Sequence, residues 1–158
     1  MQRALFLDRD GVINEDTGYV GKIENFHFID GVFEALKKAQ KRGFLLIVIT
    51  NQSGIGRGYY TLQDFQELSN YMVEELRKRG IEITDIFFCP HAPEENCSCR
   101  KPKPAMILEA AKKHNIDLQR SFMVGDKQSD IEAARNAGVG KAILLCDKKL
   151  IDVIEEIV

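Results

Sequence analysis

The chain has 158 residues, of which 44% are apolar and 29% charged, the balance of one soluble globular domain with a buried core. Its 22 basic and 24 acidic residues give a formal charge of −2, which argues against nucleic-acid binding because that needs a basic surface. No segment has the roughly 18 consecutive apolar residues of a membrane helix, and the N-terminal apolar stretch is too short for a signal peptide. We therefore expect a monomeric cytoplasmic protein with no membrane or nucleic-acid partner.

Short apolar runs alternate with amphipathic stretches along the chain. The runs at 4–7, 44–49, 86–89, 121–124 and 142–145 are typical of buried parallel strands. Helical patterns separate them and end at Gly43, Gly80 and Gly138, and a final short helix is expected over 149–158. Strands that alternate with helices predict an α/β fold. We expect a single domain over 1–158, a Rossmann-like three-layer sandwich with a mostly parallel central sheet.

Acidic residues follow the first predicted strand, where ligands of such folds bind. The segment Asp8-Arg9-Asp10-Gly11 places two carboxylates two positions apart, and they repel each other if both are buried and unpaired. A divalent cation such as Mg²⁺ relieves that repulsion, and a carboxylate can also attack phosphorus. A simple Asp- and Gly-containing turn is the alternative interpretation of this motif.

Polar residues also follow the predicted strands at 44–49 and 121–124, and a basic segment precedes a predicted helix. The segment Thr50-Asn51-Gln52-Ser53-Gly54 can hold phosphate oxygens, or it is a glycine-rich turn. Asp126 can complete a metal site with Asp8, whereas Asp130 is placed to cap the next helix. The basic segment over 100–104 is either a solvated surface or a means of neutralising a phosphoryl group.

Three cysteines and one histidine cluster within 89–99. Cys89, His91, Cys97 and Cys99 match a closed tetrahedral Cys₃His zinc site, which is structural. Buried packing cysteines or a chance cluster are the alternatives, but the polar residues between the pairs indicate a loop. Zinc would order this loop, which is followed directly by the basic residues Arg100 and Lys101. Cys146 stands apart and is interpreted as an ordinary thiol.

The order of these motifs resembles that of the haloacid dehalogenase (HAD) superfamily. The resemblance implies that Asp8 is the nucleophile and that Asp10 is the general acid and then the base. It implies that Thr50 binds phosphoryl oxygens and that Lys101 neutralises the developing charge. Mg²⁺ would be held by Asp8, Asp126 and the backbone carbonyl of Asp10. Such a mechanism agrees with the needs of phosphoryl transfer, which are an in-line nucleophile and positive charge around the equatorial oxygens.

Four segments narrow the resemblance to phosphatases that carry the zinc loop: DRDGVIN, TNQSGIGRG, CPHAPEENCSCRKP and VGDKQSD. They resemble the D,D-heptose 1,7-bisphosphate phosphatases and the histidinol-phosphate phosphatases. The first group implies a small phosphorylated partner, a sugar bisphosphate, and removal of the 7-phosphate of D-glycero-D-manno-heptose 1,7-bisphosphate. It also implies substrate contacts from eight residues, namely Asp16, Gly18, Tyr19, Asn51, Gln52, Ser53, Arg100 and Lys127.

Two features of spacing refine the expected site. Only five residues separate His91 from Cys97, fewer than in many heptose enzymes, which predicts a different substrate-facing rim. The segments from Gly11 to Phe44 and from Asn51 to Cys99 are too short to hold a separate cap domain. We therefore expect an open site. Histidinol phosphate is the alternative substrate. A non-enzymatic zinc knuckle and a polynucleotide 3′-phosphatase are alternatives of other kinds, and the charge balance argues against both.

Overall fold

The computed structural model describes residues 1–157, and its centre is one five-stranded sheet. The strands are β1 (Arg3–Leu7), β2 (Phe44–Asn51), β3 (Asp85–Cys89), β4 (Phe122–Gly125) and β5 (Lys141–Leu144). They lie in the order β3-β2-β1-β4-β5, and every adjacent pair is parallel. The predicted α/β fold is confirmed, and each predicted strand is found with ends that differ by one or two residues.

Helices connect the strands. They are α1 (Val32–Lys41), α2 (Ser53–Gly56), α3 (Leu62–Arg77), α4 (Ala105–His114), α5 (Gln128–Ala137) and α6 (Leu150–Val153). A capping box starts α3, since the Thr61 hydroxyl accepts from Asp64 N at 3.0 Å and Thr61 N donates to Asp64 Oδ2 at 2.9 Å. The predicted C-terminal helix is present as α6 and a 3₁₀ turn at Ile154–Glu156, and Val158 lies outside the described residues.

The sheet buries both of its faces, as the alternating side chains of β1 show. Leu5 and Leu7 belong to the core formed with α1, α3 and α6. Ala4 and Phe6 point to the other face and join the core formed with α4 and α5. The predicted three-layer sandwich is therefore confirmed.

The same topology brings the functional motifs to one edge. Because all strands are parallel, the residues after β1, β2 and β4 lie at the same edge of the sheet. Residues 1–157 contain this one sheet and no inserted cap domain. In that range no helix combines the length and hydrophobicity that crossing a membrane requires.

Candidate active site

A buried ion cluster joins the ends of β1 and β2. Asp8 is 5% exposed, and its Oδ1 accepts from Arg9 N at 2.9 Å and from Lys101 Nζ at 3.1 Å. Lys101, 4% exposed, also donates from Nζ to Asp130 Oδ1 at 2.6 Å and to Ile49 O at 2.8 Å. Burial acts to lower the pKa of Lys101, but the charges of Asp8 and Asp130 outweigh it and raise that pKa. A charged ammonium group therefore lies against Asp8.

Asp126 follows β4 and lacks a partner for one oxygen. Its Oδ1 is buried without a hydrogen bond within residues 1–157, and Lys127 Nζ is 3.8 Å away. Burial, together with the nearby charge of Asp8, raises the pKa of Asp126 to about 7. A Cβ at Gly11, whose φ is +88°, would lie 2.1 Å from Asp126 Oδ2, so only glycine leaves room for this carboxylate. The pair of facing carboxylates fits a divalent cation.

Asp130 completes the group of nearby acids but is already bonded. One carboxylate oxygen from each of Asp8, Asp126 and Asp130 lies within 4.8 Å of the other two. Asp130 Oδ1 accepts from Lys101, and Oδ2 accepts from Lys127 N at 3.2 Å. Asp130 therefore both caps α5, as its position suggested, and holds Lys101, which the sequence reasoning missed. Its place in the first turn of α5, shortly after Asp126, was the available signal.

The Asp10 carboxylate has separate partners for its two oxygens. Oδ1 accepts from Arg9 Nε at 3.0 Å, from Arg9 Nη2 at 2.8 Å and from Asn14 Nδ2 at 2.9 Å. Oδ2 accepts only from Gln52 Nε2, at 3.3 Å, among the residues described. The carboxylate cluster at Asp8 does not include Asp10, so a contact from Asp10 to Mg²⁺ through its backbone carbonyl stays a prediction.

A cavity of about 240 Å³ opens beside Asp10. Seven of the eight residues for which the resemblance implied substrate contacts line this cavity. The lining residues are Asp10, Asp16, Gly18, Tyr19, Asn51, Gln52, Ser53, Gly54, Tyr60 and Lys127. Burial acts to lower the pKa of Lys127, but Asp8, Asp126 and Asp16 outweigh it and raise that pKa, so a cation faces this space.

Besides Asp8, Lys101 and Asp126 of the buried cluster, two other predicted residues do not line this cavity. Thr50 is buried, and its Oγ1 accepts from Gln52 Nε2 at 2.9 Å. Arg100 lies in a neighbouring cavity of about 270 Å³, together with Lys103 and Pro93. Neither Thr50 nor Arg100 faces the cavity beside Asp10, so their contacts with substrate stay predictions.

Tyr60 is a lining residue that the sequence reasoning missed. Its hydroxyl donates to Gln52 Oε1, and burial raises the pKa of Tyr60 to about 12. A Cβ at either Gly21 or Gly54 would lie 2.2 Å from the Tyr60 ring, so these two glycines make room for it. The glycine in the polar segment after β2 was the only signal of this close approach.

The zinc-loop residues converge as predicted. The ligand atoms of Cys89, His91, Cys97 and Cys99 lie within 4.8 Å of one another. His91 Nδ1 is 3.5 Å from Cys89 Sγ and 3.3 Å from Cys99 Sγ, and Cys97 Sγ is 3.4 Å and 3.8 Å from the same two sulfurs. Tetrahedral zinc with Zn–S bonds of about 2.3 Å needs sulfur separations of about 3.8 Å, which resemble the two separations of Cys97.

A disulfide joins Cys89 and Cys99 in this structure, and Cys97 is a free thiol. Zinc binds thiolates, so this pair would have to be reduced to ligate a zinc ion. Cys146 is an exposed free thiol outside the cluster, in agreement with its predicted role as an ordinary thiol.

Comparisons with known proteins agree with this site. The model of HAD-hydrolase-like proteins matches residues 98–151. A D-glycero-beta-D-manno-heptose-1,7-bisphosphate 7-phosphatase of Helicobacter pylori is 57% identical over 149 residues, which cover 94% of this chain and 86% of that protein. A D-glycero-alpha-D-manno-heptose-1,7-bisphosphate 7-phosphatase of Burkholderia mallei is 50% identical, and the match covers 92% of this chain and 81% of that protein.

A solved structure gives the same result. The D,D-heptose 1,7-bisphosphate phosphatase from B. bronchiseptica, crystallised with magnesium and phosphate, superposes with a TM-score of 0.89 at 28% identity. The match covers 98% of this chain and 97% of that one. The resemblance seen in the sequence motifs is therefore confirmed, and the chain belongs to the heptose-bisphosphate phosphatase family of HAD-like hydrolases.

Proposed function

We propose that this protein removes the 7-phosphate of D-glycero-D-manno-heptose 1,7-bisphosphate through an aspartyl-phosphate on Asp8. The observation that carries the proposal is the buried Asp8 carboxylate, which is held against the charged Lys101 and lies two positions before Asp10, a residue that lines the cavity. The relatives named for this reaction, which are 57% and 50% identical, support the choice of substrate.

In the first step, an Asp8 carboxylate oxygen attacks phosphorus in line with the sugar oxygen. The bond from phosphorus to that sugar oxygen breaks, and its electron pair stays on the oxygen. Asp10 gives the leaving oxygen a proton from Oδ2, the carboxylate oxygen that has one weak partner among residues 1–157. The Lys101 ammonium neutralises negative charge at Asp8 as the acyl phosphate forms.

In the second step, Asp10 acts as a base. Its carboxylate takes a proton from a water molecule, whose oxygen attacks phosphorus. The bond between phosphorus and the Asp8 oxygen breaks, which releases inorganic phosphate and restores both side chains. Gln52 donates to Asp10 Oδ2 at 3.3 Å and is itself held by Tyr60, so the same oxygen stays directed at the cavity in both steps.

Asp8, Asp126 and the backbone carbonyl of Asp10 would hold Mg²⁺. Bound there, the ion supplies positive charge for the phosphoryl oxygens and allows Asp8 and Asp126 to be ionised together. The unpartnered Oδ1 of Asp126 and the raised pKa of that residue support this site. The magnesium in the related B. bronchiseptica structure is a further, independent support.

A substrate panel tests the function. We expect kcat/KM for one anomer of the heptose 1,7-bisphosphate to exceed that for histidinol phosphate by at least about 100-fold, since sites built around a polar substrate group reject analogues that lack it. Released phosphate is measured with each substrate at equal enzyme concentration. A preference for histidinol phosphate would assign the protein to the alternative activity.

We further propose that the reduced zinc loop binds one Zn²⁺ through Cys89, His91, Cys97 and Cys99. Protein purified with reductant should carry about one zinc per chain, because four ligands close the site. Cys97→Ser should lose most of that zinc, whereas Cys146→Ser should retain it because this exposed thiol lies outside the cluster. Metal analysis measures both variants, and full zinc content in Cys97→Ser would contradict the proposal. A thiolate site also supports a reducing compartment such as the cytoplasm.

A further inference from the structure

We propose that Arg9 is a positioning residue that fixes the Asp10 carboxylate for proton donation and ties it to the substrate loop, residues 16–20. The proposal rests on the phosphatase reaction described above, in which Asp10 protonates the leaving sugar oxygen. Arg9 follows the nucleophile directly in the chain, yet its side chain is only 2% exposed. It therefore does not contact solvent or substrate, and any effect on catalysis must pass through its neighbours.

The first link is the pair of hydrogen bonds from Arg9 to one oxygen of Asp10. Nε and Nη2 of Arg9 donate to Oδ1 at 3.0 Å and 2.8 Å, and Asn14 Nδ2 adds a third donor at 2.9 Å. An oxygen with three donors has no remaining capacity to bear the proton. The proton must then sit on Oδ2, which Gln52 contacts only at 3.3 Å. Arg9 thus selects which carboxylate oxygen serves as the acid.

The second link runs to the substrate loop. Arg9 Nη2 also donates to Val20 O at 2.5 Å, at the end of the loop whose Gly18 and Tyr19 line the cavity. One guanidinium nitrogen is therefore shared between the acid and the loop. A displacement of the loop would alter the Arg9 geometry and with it the orientation of Asp10.

Fold stability alone is a weak reason for this arrangement. Asp10 is the only carboxylate in a salt bridge with Arg9 within residues 1–157, and Arg9 Nη1 is buried without a hydrogen bond. The Phe26 ring lies 5.9 Å from the Arg9 Cζ, so an apolar environment surrounds the charge. A buried ion pair contributes little net stability compared with apolar residues of similar volume at both positions, although removal of one partner alone is costly.

A comparison of leaving groups distinguishes positioning of the acid from a general structural role. A sugar alkoxide is a poor leaving group and needs the proton from Asp10, whereas 2,4-dinitrophenolate leaves without one. The ratio kcat/KM reports the reaction up to leaving-group departure, the first irreversible step. Loss of Asp10 orientation should therefore affect the sugar phosphate and spare the aryl phosphate.

The experiment compares Arg9→Met and Arg9→Lys with the wild type on the heptose bisphosphate and on 2,4-dinitrophenyl phosphate, with Mg²⁺ present. For Arg9→Met we expect kcat/KM to fall by about 100-fold or more on the sugar phosphate and by less than about 3-fold on the aryl phosphate. Arg9→Lys should lose at least about 10-fold on the sugar phosphate, since lysine keeps the charge but not the paired donors. Arg120→Met, at an exposed position, is the matched control.

Equal losses on the two substrates would overturn the proposal in favour of a structural role, and so would unchanged activity on both. Circular dichroism verifies folding, and if Arg9→Met does not fold, the Arg9→Lys ratio decides. A wild-type enzyme that hydrolyses the aryl phosphate but no heptose bisphosphate would contradict the proposed substrate instead. The Arg9 variants are then compared with the wild type on an alkyl phosphate that the wild type does hydrolyse. Failure of the proposed substrate is thus distinguished from failure of the proposed role of Arg9.

Discussion

Asp8→Asn should lower kcat for the heptose bisphosphate by about 10⁴-fold or more, because an amide cannot form the acyl phosphate. The same loss is expected with aryl phosphates, since both substrates require the nucleophile. This pattern differs from that expected for Arg9→Met, which should spare the aryl phosphate. The two variants together therefore separate nucleophilic attack from protonation of the leaving group.

The fold should tolerate this substitution. The amide oxygen of an asparagine can still accept from Arg9 N and from Lys101 Nζ, which replaces both contacts of Asp8 Oδ1. Lys101 also keeps its bond to Asp130. Removing one negative charge next to Asp126 relieves repulsion, so the melting temperature of the metal-free variant should not fall by more than a few degrees.

The intermediate itself gives a direct measurement. Rapid quenching of the wild type with labelled substrate should trap phosphate on the protein, in a form that hydroxylamine releases as expected for an acyl phosphate. Asp8→Asn should show no such label. Asp30→Asn is the matched control because this side chain is 97% exposed, and it should retain full activity and labelling. Full turnover by Asp8→Asn would rule out the aspartyl-phosphate mechanism.

The architecture was predictable because parallel strands buried on both faces are nearly continuous apolar runs in the sequence. The strand ends then share one edge, which is why Asp8 and Asp126 could be placed together from their positions alone. The zinc ligands were predictable for a different reason, since all four lie within eleven residues and need only a local loop. Each of these predictions rests on a sequence pattern within one segment or on the order of the segments along the chain.

Side-chain partners that depend on the packing of distant segments were not predictable. Lys101 meets Asp130 across 29 positions, and Gln52 meets Asp10 across 42. The helix α2 was not predicted, since glycine is a poor helix former and a glycine-rich turn was one of two interpretations of segment 50–54. Its position depends on contacts elsewhere, such as the bond from Gly56 N to Pro90 O at 2.8 Å.

Lys101→Met should destabilise the protein by about 3–5 kcal/mol, because it leaves buried carboxylates without their cation. The pKa of Lys101 is raised in the folded state, so its contribution is fully present below the unfolded value of 10.5 and is lost only as pH rises above it. The wild type therefore keeps this contribution at both pH 5 and pH 8. Chemical denaturation at both values measures it.

A second substitution separates the stabilising role of Lys101 from its catalytic one. Lys101→Met combined with Asp130→Asn removes one of the two uncompensated charges, so it should regain about half of the lost stability. Activity should stay low in the double variant, since the ammonium group that donates to Asp8 Oδ1 is still missing. Lys112→Met, at an exposed position on α4, should change neither quantity. If the double variant regained activity together with stability, Lys101 would be a structural residue, because charge neutralisation at Asp8 cannot be restored by an amide at position 130.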